Sequence, residues 1–531
     1  HHCLDRFLSG QRQCFGIAFL FCATSGLVGF RKSADLSAGL ADVCGRAVVP
    51  APNTSTRGTY RGRRYHPRLP RGNAPSRQLA RQAPMNSFPL VRHGSLDDIF
   101  AWSPAGSISV RDFLADVEAL AAQLPVARFV LNVCQDRYRF AVGFAAGLLT
   151  GKTSLQPSSQ SSETLRRIQH DFPDVVCLCD SEFDGVDLPR FDFPALAAAK
   201  PARVTGIPEI PADHIAACLF TSGSTGAPMP HFKTWGGLVH NGSAEAERLN
   251  LRKHPHAIVG TVPVQHSFGF ESTFLLALEG QCSFWSGKPF YPQDIVTALK
   301  SVPRPRLLVT TPFHLSALLA SGLELPTVDL LLSATAPLSI KLASDAETHF
   351  GAPLHEIFGS TETGQIASRR TTASQVWQLL PDIQLEQDEG QTFASGGHVE
   401  GRVALSDIIE ILADRHFYLH GRCTDQVNVA GKRSSLAYLN HQITAIPGVV
   451  DAAFFLPGDK NPDGITRLCA FVVAPEVNAK ALLAELRERV DPVFLPRPLV
   501  FLDQLPRNST GKLPISSLQA LYAEQVEHAG R

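Results

Sequence analysis

The segment Thr221-Ser222-Gly223-Ser224-Thr225-Gly226, running on to Ala227-Pro228, decides how the rest of the chain is read. Two glycines, four hydroxyl side chains and a proline cannot build a core, yet they follow the apolar run Ile215-Ala216-Ala217-Cys218-Leu219-Phe220. A buried strand feeding a small, donor-rich turn is how a chain wraps backbone N–H groups and hydroxyls around a phosphate chain. The alternative is a plain surface turn between a strand and a helix. No lysine follows Gly226, so the segment is not the G-x-x-x-x-G-K-[ST] loop. A decoy stands at Gly147-Leu148-Leu149-Thr150-Gly151-Lys152-Thr153, where the glycine spacing is one residue short and no strand precedes it. It reads as a helix C-cap and turn.

Outward from that loop, strand-like runs recur at 129–133, 175–179, 215–220, 258–262, 307–311, 330–333 and 355–358. Helical stretches separate most of them, among them 110–124, where Phe113, Leu114, Val117, Leu120 and Ala121 share one face. This alternation predicts an α/β fold: a large N-terminal domain of layered, mostly parallel sheets and helices, with ligands bound at the carboxyl ends of strands. Past Gly421 the elements shorten to strands at 452–456, 468–473 and 499–502 and a helix at 479–489, as expected of a small α+β C-terminal domain. The expected division is 85–420 for the large domain, 421–424 for a hinge and 425–531 for a small mobile lid.

Three more segments carry chemistry. Phe358-Gly359-Ser360-Thr361-Glu362-Thr363 sets a hydroxyl beside a carboxylate at a strand end. Thr361 can donate to a phosphate oxygen while Glu362 offers Mg2+ a hard anionic oxygen; alone, such a string is usually a helix cap. Gly421-Arg422-Cys423-Thr424-Asp425, continuing to Gly431-Lys432-Arg433, combines hinge-like glycines with arginines that can meet phosphate or ribose oxygens. Taken alone it is a polar linker. Pro506-Arg507-Asn508-Ser509-Thr510-Gly511-Lys512-Leu513 puts a lysine on a turn tip, where a solvated charge is the ordinary expectation.

In this order and at these separations, the four segments resemble the adenylate-forming superfamily of acyl-CoA synthetases, aryl-acid ligases and carrier-loading adenylation domains. The resemblance runs from about Val110 to Leu518. It implies that ATP and a carboxylic acid give acyl-AMP and pyrophosphate, and that a thiol of CoA or of a carrier protein's phosphopantetheine then takes the acyl group. By this similarity Thr221, Ser222, Gly223, Ser224, Thr225 and Gly226 hold the β,γ-phosphates. Thr361 contacts the α-phosphate and Glu362 the Mg2+, within the Phe358-Gly359-Ser360 segment. The stretch Ser333-Ala334-Thr335-Ala336-Pro337-Leu338 passes along the adenine, Asp407 grips the ribose hydroxyls, and Arg422 assists. Lys512 bridges carboxylate and α-phosphate as the catalytic cation, and Gly431 lies where the pantetheine arm enters. The chain departs from the pattern at Met229, where a lysine is usual, with Lys233 four residues on as a candidate replacement; at Thr424, where Asp or Lys is usual; and at Ser406, where glycine is more common.

For the acid, Pro263-Val264-Gln265-His266-Ser267-Phe268-Gly269-Phe270-Glu271 resembles the motif lining the acyl pocket. His266 is either a pocket residue or a buried core histidine. Phe268, Phe270 and Phe313 are either an apolar pocket wall or core packing. Amino-acid-activating relatives hold the substrate ammonium near the position of Glu271, but the phenylalanine-rich surroundings favour an aryl or acyl carboxylate. The Pro230-His231-Phe232-Lys233 variant resembles ligases of bacterial aryl-polyene pigment clusters, which implies a hydroxybenzoate-like acid. The rival readings are a stand-alone amino-acid adenylation enzyme and a catalytically silent nucleotide- or acyl-binding subunit.

Composition bounds the rest. The net charge of zero hides a split: residues 1–84 hold 13 of the 49 Lys/Arg and three of the 49 Asp/Glu, leaving 36 and 46 from Met85 onward. An acidic body offers no face for nucleic acid. Of the 11 cysteines only Cys177 and Cys179 stand close together, and a C-x-C on an apolar run reads as strand core rather than a zinc site. That usage fits the reducing cytoplasm. The head, with an apolar run at 14–30 and an Arg/Pro/Gly-rich stretch after it, reads as a disordered or non-native extension. Its competing reading is a signal core or membrane anchor.

Overall fold

A computed structural model describes residues 86–529, apart from 158–159, 182–187, 196–203, 223–227, 423–425, 430–431, 458–467 and 509–512. The head, Gly223, Ser224, Thr225, Gly226, Thr424, Gly431 and Lys512 therefore lie outside the described residues.

Two large sheets organise the chain. In the first, of six strands, Phe129–Asn132 is central, with Thr153–Gln156 and Val175–Cys179 parallel on either side. Next to Thr153–Gln156 runs β1 (Ile215–Ser222), also parallel, and β2 (Pro228–Thr234) folds back antiparallel on β1 as the edge. The second sheet, of eleven strands, has a parallel centre of Ala257–Gly260, Arg306–Thr310, Leu330–Ser333 and β3 (Leu354–Ser360). The runs Leu307-Leu308-Val309 and Leu330-Leu331-Leu332 alternate no polar residue because both faces of a central parallel strand are covered. Beyond β3 the sheet turns antiparallel through β4 (Gly364–Arg370), Trp377–Leu379, and the hairpin of β5 (Asp407–Ile411) and β6 (His416–Arg422).

Helices cover these sheets where the apolar period requires them. The one at Val110–Ala121 buries Phe113, Leu114, Val117 and Leu120 and starts on a capping box between Ser109 and Asp112. The Gly147–Thr153 decoy is the C-cap and turn expected: its helix ends at Leu149, and the Lys152 N–H returns to the Gly147 carbonyl. Cys177 and Cys179 are buried in a strand. The expectation of mostly parallel sheets holds for the centres of both but misses the antiparallel half of the second and a three-stranded antiparallel sheet at 383–404. There the strands alternate polar and apolar residues and leave a face to water, a weaker signal than a fully apolar run.

The C-terminal part has its own three-stranded sheet, Asp451–Phe455, Cys469–Val473 and Leu499–Phe501. Period two sorts its side chains: Ala452, Phe454, Ala470 and Val472 join Leu439, Ile443, Leu482 and Leu486 from two helices on one face. Ala453, Phe455, Cys469, Phe471 and Val500 join Leu505 and Leu518 on the other. Among the described residues no helix is long and apolar enough to cross a membrane.

Candidate functional site

The phosphate-loop expectation rests on the hairpin that flanks residues 223–227. Its register pairs Ser222 with Pro228 and Thr221 with Met229, so Thr221 is one rung from the end of β1. Successive residues of a strand alternate faces, which puts Met229, His231 and Lys233 on one face of β2. Met229, where the resemblance calls for a lysine, is half exposed. His231 instead turns to the strand end, where its Nε2 and Thr221 Oγ1 are hydrogen-bonded at 2.9 Å.

The second element is the tight turn between β3 and β4. Ser360 and Thr363 close it on themselves: Ser360 N donates to Thr363 Oγ1 at 3.2 Å, and Thr363 N to Ser360 Oγ at 3.2 Å. The two hydroxyls hold the turn, with Thr361 and Glu362, both partly exposed, at its tip. The register slips between Phe358 and Gly359, and a Cβ at Gly359 would stand 2.2 Å from the Gly364 carbonyl oxygen. Gly364 itself has φ +71°, which favours glycine. Phe358 packs its ring on Trp377 and Phe417, with centroids at 5.7 and 5.8 Å.

The two turns meet. Glu362 Oε1 lies 3.8 Å from His231 Nε2, and Lys233 Nζ donates to the Glu362 carbonyl at 2.6 Å. Burial pulls the Lys233 ammonium below the ordinary lysine range, with Glu271, Glu400 and Glu362 opposing it. Lys233 is thus directed to the β3–β4 turn rather than out along the strand towards Met229's position, four residues or about 13 Å away.

The remaining expected residues lie around this junction. Thr335 follows Leu330–Ser333, the strand beside β3, and takes φ +80°, which a β-branched residue adopts only under constraint from its surroundings. Ala336 and the exposed Pro337 complete that loop, and its far end is pinned where Leu338 N donates to the buried Glu356 carboxylate at 3.2 Å. Arg369 neutralises Glu356 at 2.6 Å. Asp407 and Arg422 are direct partners across the β5–β6 hairpin. His266 caps the helix at Ser267–Gly269, its Nδ1 accepting from Phe268 N at 3.2 Å. Phe270 is fully buried among Phe140, Phe144 and Phe274, so it is core packing rather than pocket wall. Phe268 is buried in the same core, whereas Phe313 is exposed.

Sequence reasoning missed a buried polar network behind the junction. The helix α1 (Trp235–Arg248) carries Asn241 and Glu245 one turn apart, both buried. Glu271 lies on a π-helical turn, Phe270–Leu275, and accepts from Ser267 Oγ at 3.1 Å. Ser272 Oγ donates to Glu245 at 2.8 Å and accepts from Gln365 Nε2 at 2.6 Å. Burial raises the Glu271 carboxyl to about 7, with Lys233 opposing, and the Glu245 carboxyl to about 8. The available signal was Glu in the apolar stretch at 268–278, and an i, i+4 polar pair on an otherwise buried helix face. Glu271, expected near a substrate ammonium in one rival reading, accepts from Ser267 and lies in the field of Lys233.

Among the described residues no group of three or more His, Cys, Asp or Glu side chains could hold a metal ion. A single partly exposed carboxylate, Glu362, on a strand-end turn fits Mg2+ that arrives bound to phosphate oxygens.

Residues 127–397 match the model of the AMP-binding enzyme family, and residues 440–512 match the AMP-binding enzyme C-terminal domain. A 4-coumarate–CoA ligase of Rhodobacter capsulatus is 30% identical over 272 residues, 51% of this chain and 66% of that enzyme. Its counterpart in Halorhodospira halophila is 28% identical over 322 residues, 59% of this chain and 79% of that enzyme. ATP-bound MatB from Rhodopseudomonas palustris superimposes with a TM-score of 0.70 at 20% identity, over 81% of this chain and 97% of that one.

Proposed function

Because this chain belongs to the AMP-binding enzyme family, we propose that it activates an aryl carboxylic acid with ATP and passes the acyl group to a thiol. A carboxylate oxygen attacks the α-phosphorus, the bond to the β-phosphate oxygen breaks, and pyrophosphate leaves. The thiol sulfur of CoA or of a carrier's phosphopantetheine then attacks the acyl carbon, AMP departs with its bonding electrons, and the thiol proton goes to solvent. Neither step needs a covalent protein intermediate, so the residues act by positioning and charge neutralisation.

The observation that carries this reading is the junction of the paired strands β1 and β2 with the β3–β4 turn, which brings Thr221 and Glu362 together through His231 and Lys233. The first turn holds the β,γ-phosphates and Thr361 the α-phosphate. Mg2+, when bound with the triphosphate, would offset its charge from the Glu362 side. The Thr335-Ala336-Pro337 loop lies along the adenine, and Asp407 with Arg422 grips the ribose. Lys512 bridges the attacking carboxylate and the α-phosphate, and Gly431 borders the thiol's entry. The bounds 85–420, 421–424 and 425–531 divide the labour between an ATP- and acyl-binding part and a lid.

An aryl acid is favoured by the two relatives named for 4-coumarate and by Glu271, whose carboxyl accepts from Ser267 and already faces the positive charge of Lys233. A hydroxybenzoate-like acid of an aryl-polyene assembly is the narrower form of this reading. The reaction's chemistry suits the cytoplasm, where ATP and CoA are available.

The test is pyrophosphate release with ATP and Mg2+ over 4-coumarate, hydroxybenzoates, fatty acids and amino acids. Release with an aryl acid, lost in Lys512→Ala while that variant still thioesterifies supplied acyl-AMP, is the expected result. ATP binding without release for any acid would establish the silent-subunit alternative.

A further inference from the structure

We propose that His231 and Lys233 are positioning residues that fix the Glu362 turn from two sides, and that His231 acts on nucleotide binding through the Glu362 carboxylate. The inference rests on the ATP-dependent reading above. Both side chains project from the same face of β2 and converge on one residue of another sheet. Lys233 takes the Glu362 main-chain carbonyl at 2.6 Å; His231 stands 3.8 Å from the Glu362 carboxylate while bonded to Thr221 at 2.9 Å. One contact sets where the turn stands, and the other places an imidazole beside its carboxylate.

A charged amine is costly to bury unless it is matched. Lys233 is matched by Glu271, Glu400 and Glu362, and Glu400 also accepts from Thr234 N and Oγ1 at 3.0 and 2.7 Å. The β2 edge is thereby fastened to the 399–404 strand as well as to the β3–β4 turn. An amine so placed is spent on the protein's own backbone, which distinguishes it from a lysine reaching for a phosphate. The exposed Met229, at the rung opposite Thr221, leaves the phosphate loop without a cation of its own on β2. Anion binding then depends more heavily on where the carboxylate and its Mg2+ are held, which is what the two side chains determine.

The experiment is a double-mutant cycle read by calorimetric binding of Mg2+·ATP, and of ATP in EDTA, to the full chain. His231→Ala should weaken Mg2+·ATP binding about tenfold and leave metal-free ATP binding within about twofold. In the Glu362→Gln background the same substitution should change Mg2+·ATP binding by less than about twofold, because the group through which it acts has gone. Lys233→Met should weaken Mg2+·ATP binding at least as much as His231→Ala; because it strands Glu271 it is checked by its unfolding transition, and the histidine cycle stands alone if it fails to fold. An equal loss from His231→Ala with and without Glu362, or an equal loss for ATP in EDTA, overturns the proposal while leaving the functional reading intact. Wild-type protein that binds no ATP overturns both.

Discussion

Replacing Gly359 by alanine tests whether the Thr361-Glu362 turn must stand where it does. The added methyl would lie 2.2 Å from the Gly364 carbonyl oxygen and 2.7 Å from Gln365 Cα, both backbone atoms of the neighbouring strand, where ordinary contact begins near 3.4 Å. Backbone cannot swing aside as a side chain can, so β3 and β4 must part by roughly 1 Å at the turn. Overpacking of this kind costs about 1–3 kcal/mol of stability. A displacement of about 1 Å in a positioning element costs on the order of a hundredfold in rate. The assays are urea unfolding and kcat/KM for pyrophosphate release, with Gly147→Ala as the control. Gly147 is helical with nothing within 4 Å of the added carbon, so its replacement should be neutral or stabilise by about 0.5–1 kcal/mol. If Gly359→Ala keeps both wild-type stability and wild-type kcat/KM, the close approach at the turn does not position the site.

Other outcomes follow from the same structure. Burial raises the Glu245 carboxyl from 4.5 to about 8, so between those values the folded chain holds a proton that the unfolded chain has lost. Stability from this group is therefore present below about pH 4.5 and falls as pH rises towards 8, by on the order of 3–5 kcal/mol; Glu245→Gln should flatten that slope in unfolding measurements at pH 6 and 8. His398 runs the other way: burial lowers it from 6.5 to about 4, so it destabilises the fold as pH falls from 6.5, and His398→Gln should raise stability at pH 5 relative to wild type. Asp407→Asn should weaken ATP binding tenfold or more, the loss of charge-assisted hydrogen bonds, and should shrink the preference for ATP over 2′-deoxy-ATP; an unchanged preference would remove Asp407 from the ribose site.

Much of this was readable from the chain. Apolar runs such as Leu307–Val309 and Leu330–Leu332 announce buried parallel strands because nothing polar interrupts them. What stayed hidden depends on partners far apart in sequence. Lys233 and Glu362 are 129 residues apart, and neither residue type nor spacing says that the amine will take a carbonyl on another sheet. Phe270 could be wall or core until the rings of Phe140, Phe144 and Phe274 closed around it. The short strands at 283–285 and 377–379 carry too few residues to show a period.

The three-stranded sheet of the C-terminal part carries apolar side chains on both of its sides, each roofed by residues from within 427–522. A layer sealed above and below asks nothing of the surface beside it. Whatever that part lies against, its own interior stays dry.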